Sequence, residues 1–340
     1  MIWYSKNDNN DIMVSTRVRV ARNIKKYPFP TMMTADDAKK VLSDVKGAIE
    51  NSNSSIAKEF EYMETGKMSP VNLRALTEQH FISPDLAKSK YGAVLINKDR
   101  TMSIMINEED HIRLQVILPG LEIGRAWETA NRVDDLIEES VEYAFDEKLG
   151  YLTACPTNLG TGIRVSVMMH LPALTMTREI SKIIDSAGSL GIAVRGIYGE
   201  GSDSSGNLYQ ISNSITMGAS EEELAEKVEN IAKQIEGYER EARKSLLKNH
   251  KTYIKDKVWR SYGILKYARQ ISSKESKSLI SDVILGKALN IIDEPTATPL
   301  FELMVKTEPA NIGEGKEMSA DERDIKRADL IRDTLTGREG

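Results

Sequence analysis

The sequence predicts an α+β fold: a largely antiparallel sheet flanked by helices, followed by an α-helical C-terminal region. Strand-like apolar runs and helical repeats are mixed up to about residue 220. Several of those runs succeed one another through short turns, which suits hairpins better than a regular βαβ array. From Ser220 onward almost every apolar repeat has helical spacing.

In chain order, IMVSTRVRV (12–20) alternates with period two, so Ile12, Val14, Thr16, Val18 and Val20 fall on one strand face and Ser15, Arg17 and Arg19 on the other. Thr34 opens a T-x-x-D helix start in which Ala38, Val41, Leu42, Val45 and Ile49 keep a 3.6-residue period. GAVLIN (92–97), the turn KDR and TMSIMIN (101–107) read as a hairpin. NEEDHIRLQVIL, taken as one continuous strand, sets Ile112, Leu114, Val116 and Leu118 against Glu109, His111, Arg113 and Gln115. Glu108 and Asp110 then point away from Glu109 and are expected to fix the strand end. After Pro119-Gly120 a long helix is expected, with Val133, Ile137, Val141 and Ala144 on one face and Gly150 at its end. GIRVSVMMHL (162–171) is a strand whose apolar face lies opposite Arg164, Ser166, Met168 and His170; TREISKIIDSAG is a helix and IAVRGIYG (192–199) another strand. Ser220 starts a capping box, and Leu224, Val228, Ile231 and Ile235 come after it at helical spacing. EPTATP (294–299) breaks the helical region, EPANIGEGKEM (308–318) reads as a loop, and Ser319-x-x-Glu322 caps a last helix ending near Gly337. The expected division is a mixed domain at 1–250 and a helical domain at 251–340.

Composition narrows the function classes. The 340 residues carry 46 basic and 51 acidic side chains, a formal net charge of -5, which argues against a general nucleic-acid binder. The one cysteine, Cys155, excludes an internal disulfide framework, and His80, His111, His170 and His250 have no metal-ligand spacing. Neither a leader-like N-terminus nor an apolar run of about 18 residues is present, so a cytoplasmic location is expected.

The chemistry-bearing residues have ordinary readings one at a time: Arg17 and Arg19 as a solvated face, Glu109 with Arg113 as a structural ion pair, Cys155 as a buried thiol. The loop TACPTNLGTG (153–162) holds Gly160 and Gly162, which permit close backbone approach to a ligand, but it lacks the Walker A pattern. RGIYGEGSDSSGN (195–207) adds Arg195 and Glu200 on a glycine-rich turn. Together Arg17, Arg19, Arg113, Arg164 and Arg195, with the acids, suit a polyanion that meets a carboxylate-bound partner. ATP with magnesium fits, the guanidinium groups holding phosphates and the carboxylates facing the acceptor. An ATP-dependent carboxylate–amine ligase is a rival enzymatic reading.

STRVRVARN, NEEDHIR, YLTACPTNLGTGIRVSV and RGIYGEG, in this order, resemble the catalytic-domain motifs of the phosphagen (guanidino) kinases. The resemblance implies ATP and Mg2+ as donor and a guanidinium acceptor. It assigns Arg17, Arg19, Arg113, Arg164 and Arg195 to the nucleotide phosphates, with Ser15, Thr16, Val18, Val165, Ser166, Val167, Met168, Gly196, Ile197, Tyr198 and Gly199 in the same nucleotide-binding segments and His80 beside the adenosine. Glu109 and Glu200 correspond to the carboxylates that grip the guanidinium, and Cys155 to the cysteine beside it. Small-molecule members carry a helical domain before the first motif, whereas here 14 residues precede Ser15. That departure, YGEGSDSSGN, LPALTMTREI and the helical C-terminal region resemble the bacterial branch that phosphorylates arginine side chains of proteins. Arg323-Asp324-Ile325-Lys326-Arg327-Ala328 is similar to that branch's allosteric phosphoarginine motif, which makes the functional reading preferred, although on the residues alone Arg323, Asp324 and Arg327 read as a solvated helix face. The resemblance further implies a homodimer and, as partners, a zinc-binding activator of the McsA type, the repressor CtsR and a Clp unfoldase. A non-catalytic phosphoarginine-binding adaptor would keep the C-terminal motif and lose the glutamates or arginines.

Overall fold

The computed structural model describes residues 3–4, 11–197, 204–294, 296 and 298–337. Along the chain run β1 (Met13–Arg22), α1 (Ala35–Glu50), β2 (Phe60–Glu64), α2 (Pro70–Glu78), α3 (Pro84–Lys88), β3 (Ala93–Asn97), β4 (Met102–Ile106), β5 (Ile112–Pro119) and α4 (Ile123–Glu138). A short hairpin, β6 (Phe145–Asp146) and β7 (Gly150–Tyr151), precedes β8 (Ile163–His170), α5 (Pro172–Met176), α6 (Ile180–Ser189), β9 (Ile192–Gly196) and β10 (Leu208–Asn213). The remainder is helical: α7 (Glu221–Asn249), α8 (Lys251–Tyr267), α9 (Ser273–Ala288), α10 (Leu300–Lys306), α11 (Pro309–Ile312) and α12 (Ala320–Thr336). The main sheet has the order β2-β3-β4-β5-β1-β8-β10-β9, so the α+β reading with a helical C-terminal region holds.

The chain forms two compact units: Met1–Trp3, Thr16–Ser166 and Ser212–Glu229 in one, Tyr4–Ser15, Val167–Ile211 and Asn230–Gly340 in the other. Compactness thus groups Val167–Ile211 with the C-terminal helices, whereas sequence texture draws its boundary at 250/251.

In the first unit β2 to β5 pair antiparallel, with Val94 opposite Met105 and Met105 opposite Arg113. Side chains alternate across a strand, so Val94, Ile96 and Met105 share a face, which Leu76, Phe81, Ile82 and Leu86 of the α2–α3 segment cover. Arg113 and Gln115 emerge on that same face. The opposite face, with Leu95, Ile104, Ile106 and Leu114, is left for α1 and α4, which pack on β4 and β5. The Thr34 capping box is formed, and Ala38, Val41, Val45 and Ile49 are buried as the period requires.

Two expected elements differ. The helix after Pro119-Gly120 ends at Glu138 and does not reach Gly150. The stretch beyond it pairs with the chain after β1 instead, Lys25 N donating to Glu142 O at 2.9 Å and Ala144 N to Asn23 O at 2.7 Å. Residues 308–318 are not wholly loop, because Pro309–Ile312 make a helical turn.

In the second unit α9 packs against α8, α10 and the turn Ser205–Asn207, and α12 packs against α8 and α11. The Ser319 capping box starts α12, and Gly337 ends it at φ +68°.

Each unit buries one neutral histidine. His111 accepts Ile24 N–H at Nδ1 (3.0 Å) while Nε2 lies 2.9 Å from Pro28 O, and burial lowers its pKa to about 4. His170 is fully buried and is lowered by the same cause to about 3. Both folded values lie below the unfolded value of about 6.5, so the folded state excludes a proton that the unfolded chain binds. Stability is therefore intact above about pH 6.5 and falls as pH drops towards 4, by up to about 1.4 kcal/mol per pH unit for each ring. Buried Asp110, Asp134, Glu239 and Glu308, whose pKa values burial raises, act in the opposite sense. Urea unfolding of the wild type and His111→Gln at pH 7 and pH 5 isolates one imidazole: the variant should show the shallower acid slope.

Candidate active site

The face of the first unit that carries Arg113 is where the sequence-derived residues converge. Arg19, Glu109, Arg113, Cys155, Asn158, Gly162 and Arg164 line one cavity of about 100 Å³. That is room for the reacting groups, since pockets that enclose a whole drug-sized ligand run to roughly 300 Å³ or more.

The electrostatics of the cavity call for an anion. Arg19 Nε is buried without a hydrogen-bond partner. Burial, and then the charges of Arg17, Arg113 and Arg164, push the Arg19 pKa well below its ordinary value, with Glu108 opposing. A guanidinium crowded by like charges in a desolvated place is costly unless an anion joins it. Phosphate oxygens suit it, because a guanidinium fork binds them bidentately.

The acid turn corrects the strand-based expectation. β5 begins at Ile112, and Asn107 sits at φ +58°, so residues 107–111 form a turn in which period two does not apply. Glu108 does not point away: its carboxylate pairs with Arg113 Nη1 at 2.6 Å and its side chain is 1% exposed. Glu109 pairs with Arg113 Nη2 at 3.0 Å and is 42% exposed. Of the two pairs, the exposed one contributes the lesser stability, about 0–1 kcal/mol, and is the one an incoming group can exchange. Glu108 thus fixes Arg113 and leaves Glu109 available.

Asp110 does anchor the turn, as expected. Its Oδ1 accepts from Asn23 Nδ2 and from Ala154 N, both at 2.7 Å, and Asn23 Oδ1 accepts from His111 N at 2.9 Å. One buried carboxylate therefore ties the acid turn, the end of β1 and the Cys155 loop together. Cys155 is half-buried, with Sγ 3.1 Å from Thr157 Oγ1.

The glycines of that loop serve the protein's own packing. A Cβ on Gly162 would lie 2.6 Å from Ala21 O, and one on Gly160 2.7 Å from Thr216 O. Close approach to backbone, at φ +67° and +106°, explains both; the expected approach to a ligand is not needed.

Other expected residues have mixed placements. His80 adopts φ +62° and accepts from Gln115 Nε2 at its carbonyl (2.7 Å), with its ring 5.3 Å from that of Trp3. A non-glycine residue in that conformation is sparsely populated and favours functional positions. Thr16 is buried and its hydroxyl is engaged by the turn before α4, donating to Gly120 O and accepting from Glu122 N. Val18 and Val165 are core residues, and Ser166 Oγ donates to Arg17 O at 3.3 Å. Ser15, Val167, Met168, Arg195, Gly196 and Ile197 belong to the second unit, Arg195 being exposed on β9. Tyr198, Gly199 and Glu200 lie outside the described residues. Among the described residues no group of three or more His, Cys, Asp or Glu could hold a metal ion, and no helix is long and apolar enough to cross a membrane.

In the C-terminal motif, Arg323 and Asp324 are half-buried and Ile325 is exposed, while Arg327 and Ala328 are buried at 1% exposure. Arg327 Nε donates to Thr307 O and Nη1 to Ile271 O, both at 2.8 Å, and Nη1 also pairs with Asp324. It is an internal brace, not part of a solvated face. Lys326 reaches Glu314 at 3.1 Å.

Residues 40–242 match the family model of the ATP:guanido phosphotransferase C-terminal catalytic domain, and residues 251–339 that of the protein-arginine kinase McsB C-terminal domain. A protein-arginine kinase of Caldanaerobacter subterraneus subsp. tengcongensis is 48% identical over the full length of both chains. One of Geobacillus stearothermophilus is 46% identical over 98% of this chain and 93% of its own. Among solved structures, a lombricine kinase aligns with TM-score 0.61 and 26% identity over 71% of this chain and 69% of its own. A duplicated taurocyamine kinase from Schistosoma mansoni, at 20% identity, shares the fold with TM-score 0.61 over 84% of this chain and 49% of its own.

Proposed function

Since the chain belongs to the ATP:guanido phosphotransferase family, we propose that it is a protein-arginine kinase, transferring the γ-phosphoryl group of ATP to arginine side chains of proteins. The single observation that carries the reading is the cavity that joins a buried, anion-seeking guanidinium cluster to Glu109 and Cys155.

Arg19, Arg113 and Arg164, with Arg17 beside them, hold the phosphates and offset the charge that spreads over the transferring group. Arg195 and the segments around Val165 and Gly196 complete the nucleotide site in this reading, and His80 borders the adenosine. Magnesium carried in with the nucleotide would supply further neutralisation there. Glu109 and Glu200 grip the acceptor guanidinium and set its nitrogen in line with phosphorus, where proximity contributes much of the rate. As the N–P bond forms and the bond from phosphorus to the ADP oxygen breaks, the nitrogen releases a proton that a glutamate accepts. Cys155 sits beside the guanidinium. A catalytic domain at 1–250 and a regulatory phosphoarginine-binding domain at 251–340, using Arg323 and Asp324, belong to the same reading. So do a cytoplasmic location, a homodimer, and as partners a McsA-type activator, CtsR and a Clp unfoldase.

The test is mass spectrometry of an arginine-rich test protein after incubation with the kinase and MgATP. Acid-labile phosphate on arginine is the expected product. Phosphorylation of free arginine alone, or ATP turnover that needs an ammonia donor and leaves no phosphoprotein, overturns the proposal.

A further inference from the structure

The β6–β7 hairpin of the first unit exposes an apolar surface that phosphoryl transfer does not use. Phe145 is 57% exposed, Leu149 42% and Met217 45%. All three line one groove of about 260 Å³, together with Tyr151, Gly160 and Thr161. A second groove, of about 760 Å³, shares Phe145 and Tyr151 with the first, and the two rings meet edge to face at 5.2 Å. Single exposed apolar side chains are ordinary, but three on one groove beside an aromatic pair mark an interaction surface. Every residue of both grooves belongs to the first unit.

The larger groove is acidic. Glu138, Glu139, Glu142 and Glu147 line it, and Lys25 is the one cation of its lining. Lys25 pairs with Glu142 at 2.5 Å, whereas Glu138, Glu139 and Glu147 are exposed and have no ion-pair partner among the described residues. Their field reaches the aromatic pair: burial, opposed by Arg22, raises the Tyr151 phenol pKa, and the charges of Glu138, Asp134 and Glu221 raise it further. Aromatic rings under a negative potential suit a cation. The hairpin already seats one, since the Arg22 guanidinium lies 3.4 Å from the Tyr151 ring centroid. The hairpin is also tied to the catalytic cavity, because Tyr151 N donates to Gly160 O at 2.8 Å. Gly160 and Thr161 line the smaller groove, while Cys155, Asn158 and Gly162 of the same loop line the cavity of Glu109 and Arg113.

We propose that the surface around Phe145, with Glu138, Glu139 and Glu147, docks a basic segment of the protein acceptor that flanks the arginine to be phosphorylated. Lysine and arginine stems cover the apolar side chains while their charged ends meet the carboxylates. Charge complementarity selects this occupant, because an acidic segment is repelled and an apolar one leaves three carboxylates to be desolvated without a partner. The inference rests on the reading of the chain as a protein-arginine kinase, and it names what that kinase recognises beyond the reacting guanidinium. A flank held beside the shared loop raises the effective concentration of its arginine at the cavity.

Two synthetic peptides test this, each with a single arginine, one flanked by lysines and the other by glutamines. The wild type should phosphorylate the lysine-flanked peptide with a kcat/KM roughly fivefold to thirtyfold higher, the scale of three exposed ion pairs. Combining Glu138→Gln, Glu139→Gln and Glu147→Gln should bring the two peptides to within about twofold through KM, with kcat and the ATP Kd unchanged. Phe145→Ala keeps every charge and should raise the KM of the lysine-flanked peptide about twofold to fivefold. If the wild type phosphorylates neither peptide, the kinase reading itself fails. If it phosphorylates both with equal kcat/KM, or if the triple variant keeps the wild-type preference, the docking inference alone is overturned. A fall in kcat for both peptides in the triple variant, or an unchanged KM in Phe145→Ala, overturns it as well.

Discussion

Glu109→Gln should lower kcat for arginine phosphorylation by about 10²- to 10⁴-fold while leaving the ATP Kd within about twofold. The substitution keeps shape and removes the negative charge that, in the proposed function, holds an acceptor guanidinium and takes its proton. Nucleotide binding should survive because Arg113 keeps its stronger partner: Glu108, 1% exposed, stays at Nη1. Glu109 already holds a guanidinium in the structure, that of Arg113 itself, at 3.0 Å. An arginine from a substrate can take that place, since a carboxylate can also hold a guanidinium fork bidentately. Calorimetric ATP titration alongside single-turnover transfer separates the two effects. An ATP Kd weakened as much as kcat would assign Glu109 to the nucleotide and remove it from the acceptor side.

The same turn shows where sequence reasoning reaches and where it stops. Alternation in IMVSTRVRV and GIRVSVMMHL correctly opposes Arg17, Arg19 and Arg164 to buried valines, because those stretches are real strands whose side-chain period is two. NEEDHIR fails the same test at its first residues. Asn107 at φ +58° starts a turn, so alternation places Glu108 on the wrong side. The partners of Asp110 lie 87 and 44 residues away, at Asn23 and Ala154, and no local pattern encodes them. The legible signal is only that three adjacent acids beside two apolar strands need compensation. The overlong helix has the same origin: Val141 and Ala144 continue the helical spacing of α4, yet the backbone from Glu142 on is claimed by the chain after β1, Glu142 O by Lys25 N and Ala144 N by Asn23 O, a pairing visible only in three dimensions. Capping boxes at Thr34 and Ser319, by contrast, involve residues three apart and are fully legible.

Arg327→Ala should destabilise the protein by about 3–5 kcal/mol, whereas Arg323→Ala should stay within about 0.5 kcal/mol. Both arginines lie in one helical motif, and a polar helix face reads as solvated in either case. Their environments differ. Arg327 is 1% exposed, and its guanidinium satisfies Thr307 O and Ile271 O, two carbonyls at ends of other helical segments. Truncation leaves those buried acceptors without a donor, at about 1–3 kcal/mol each, and opens the volume of a long side chain. Asp324 loses its partner too, but its side chain is 24% exposed and water can replace the guanidinium. Arg327→Lys should recover little, since an ammonium cannot donate to two separated carbonyls and a carboxylate along a planar fork. Urea unfolding gives the stabilities, and titration with phosphoarginine gives the other half of the comparison. Arg323→Ala should lose phosphoarginine affinity at wild-type stability. Arg327→Ala should lose both together, because Thr307 and Glu308 stand between α12 and the Lys277 brace of α9. An Arg327→Ala protein as stable as the wild type would mean that these carbonyls find other donors and that Arg327 is not the brace of the helical unit.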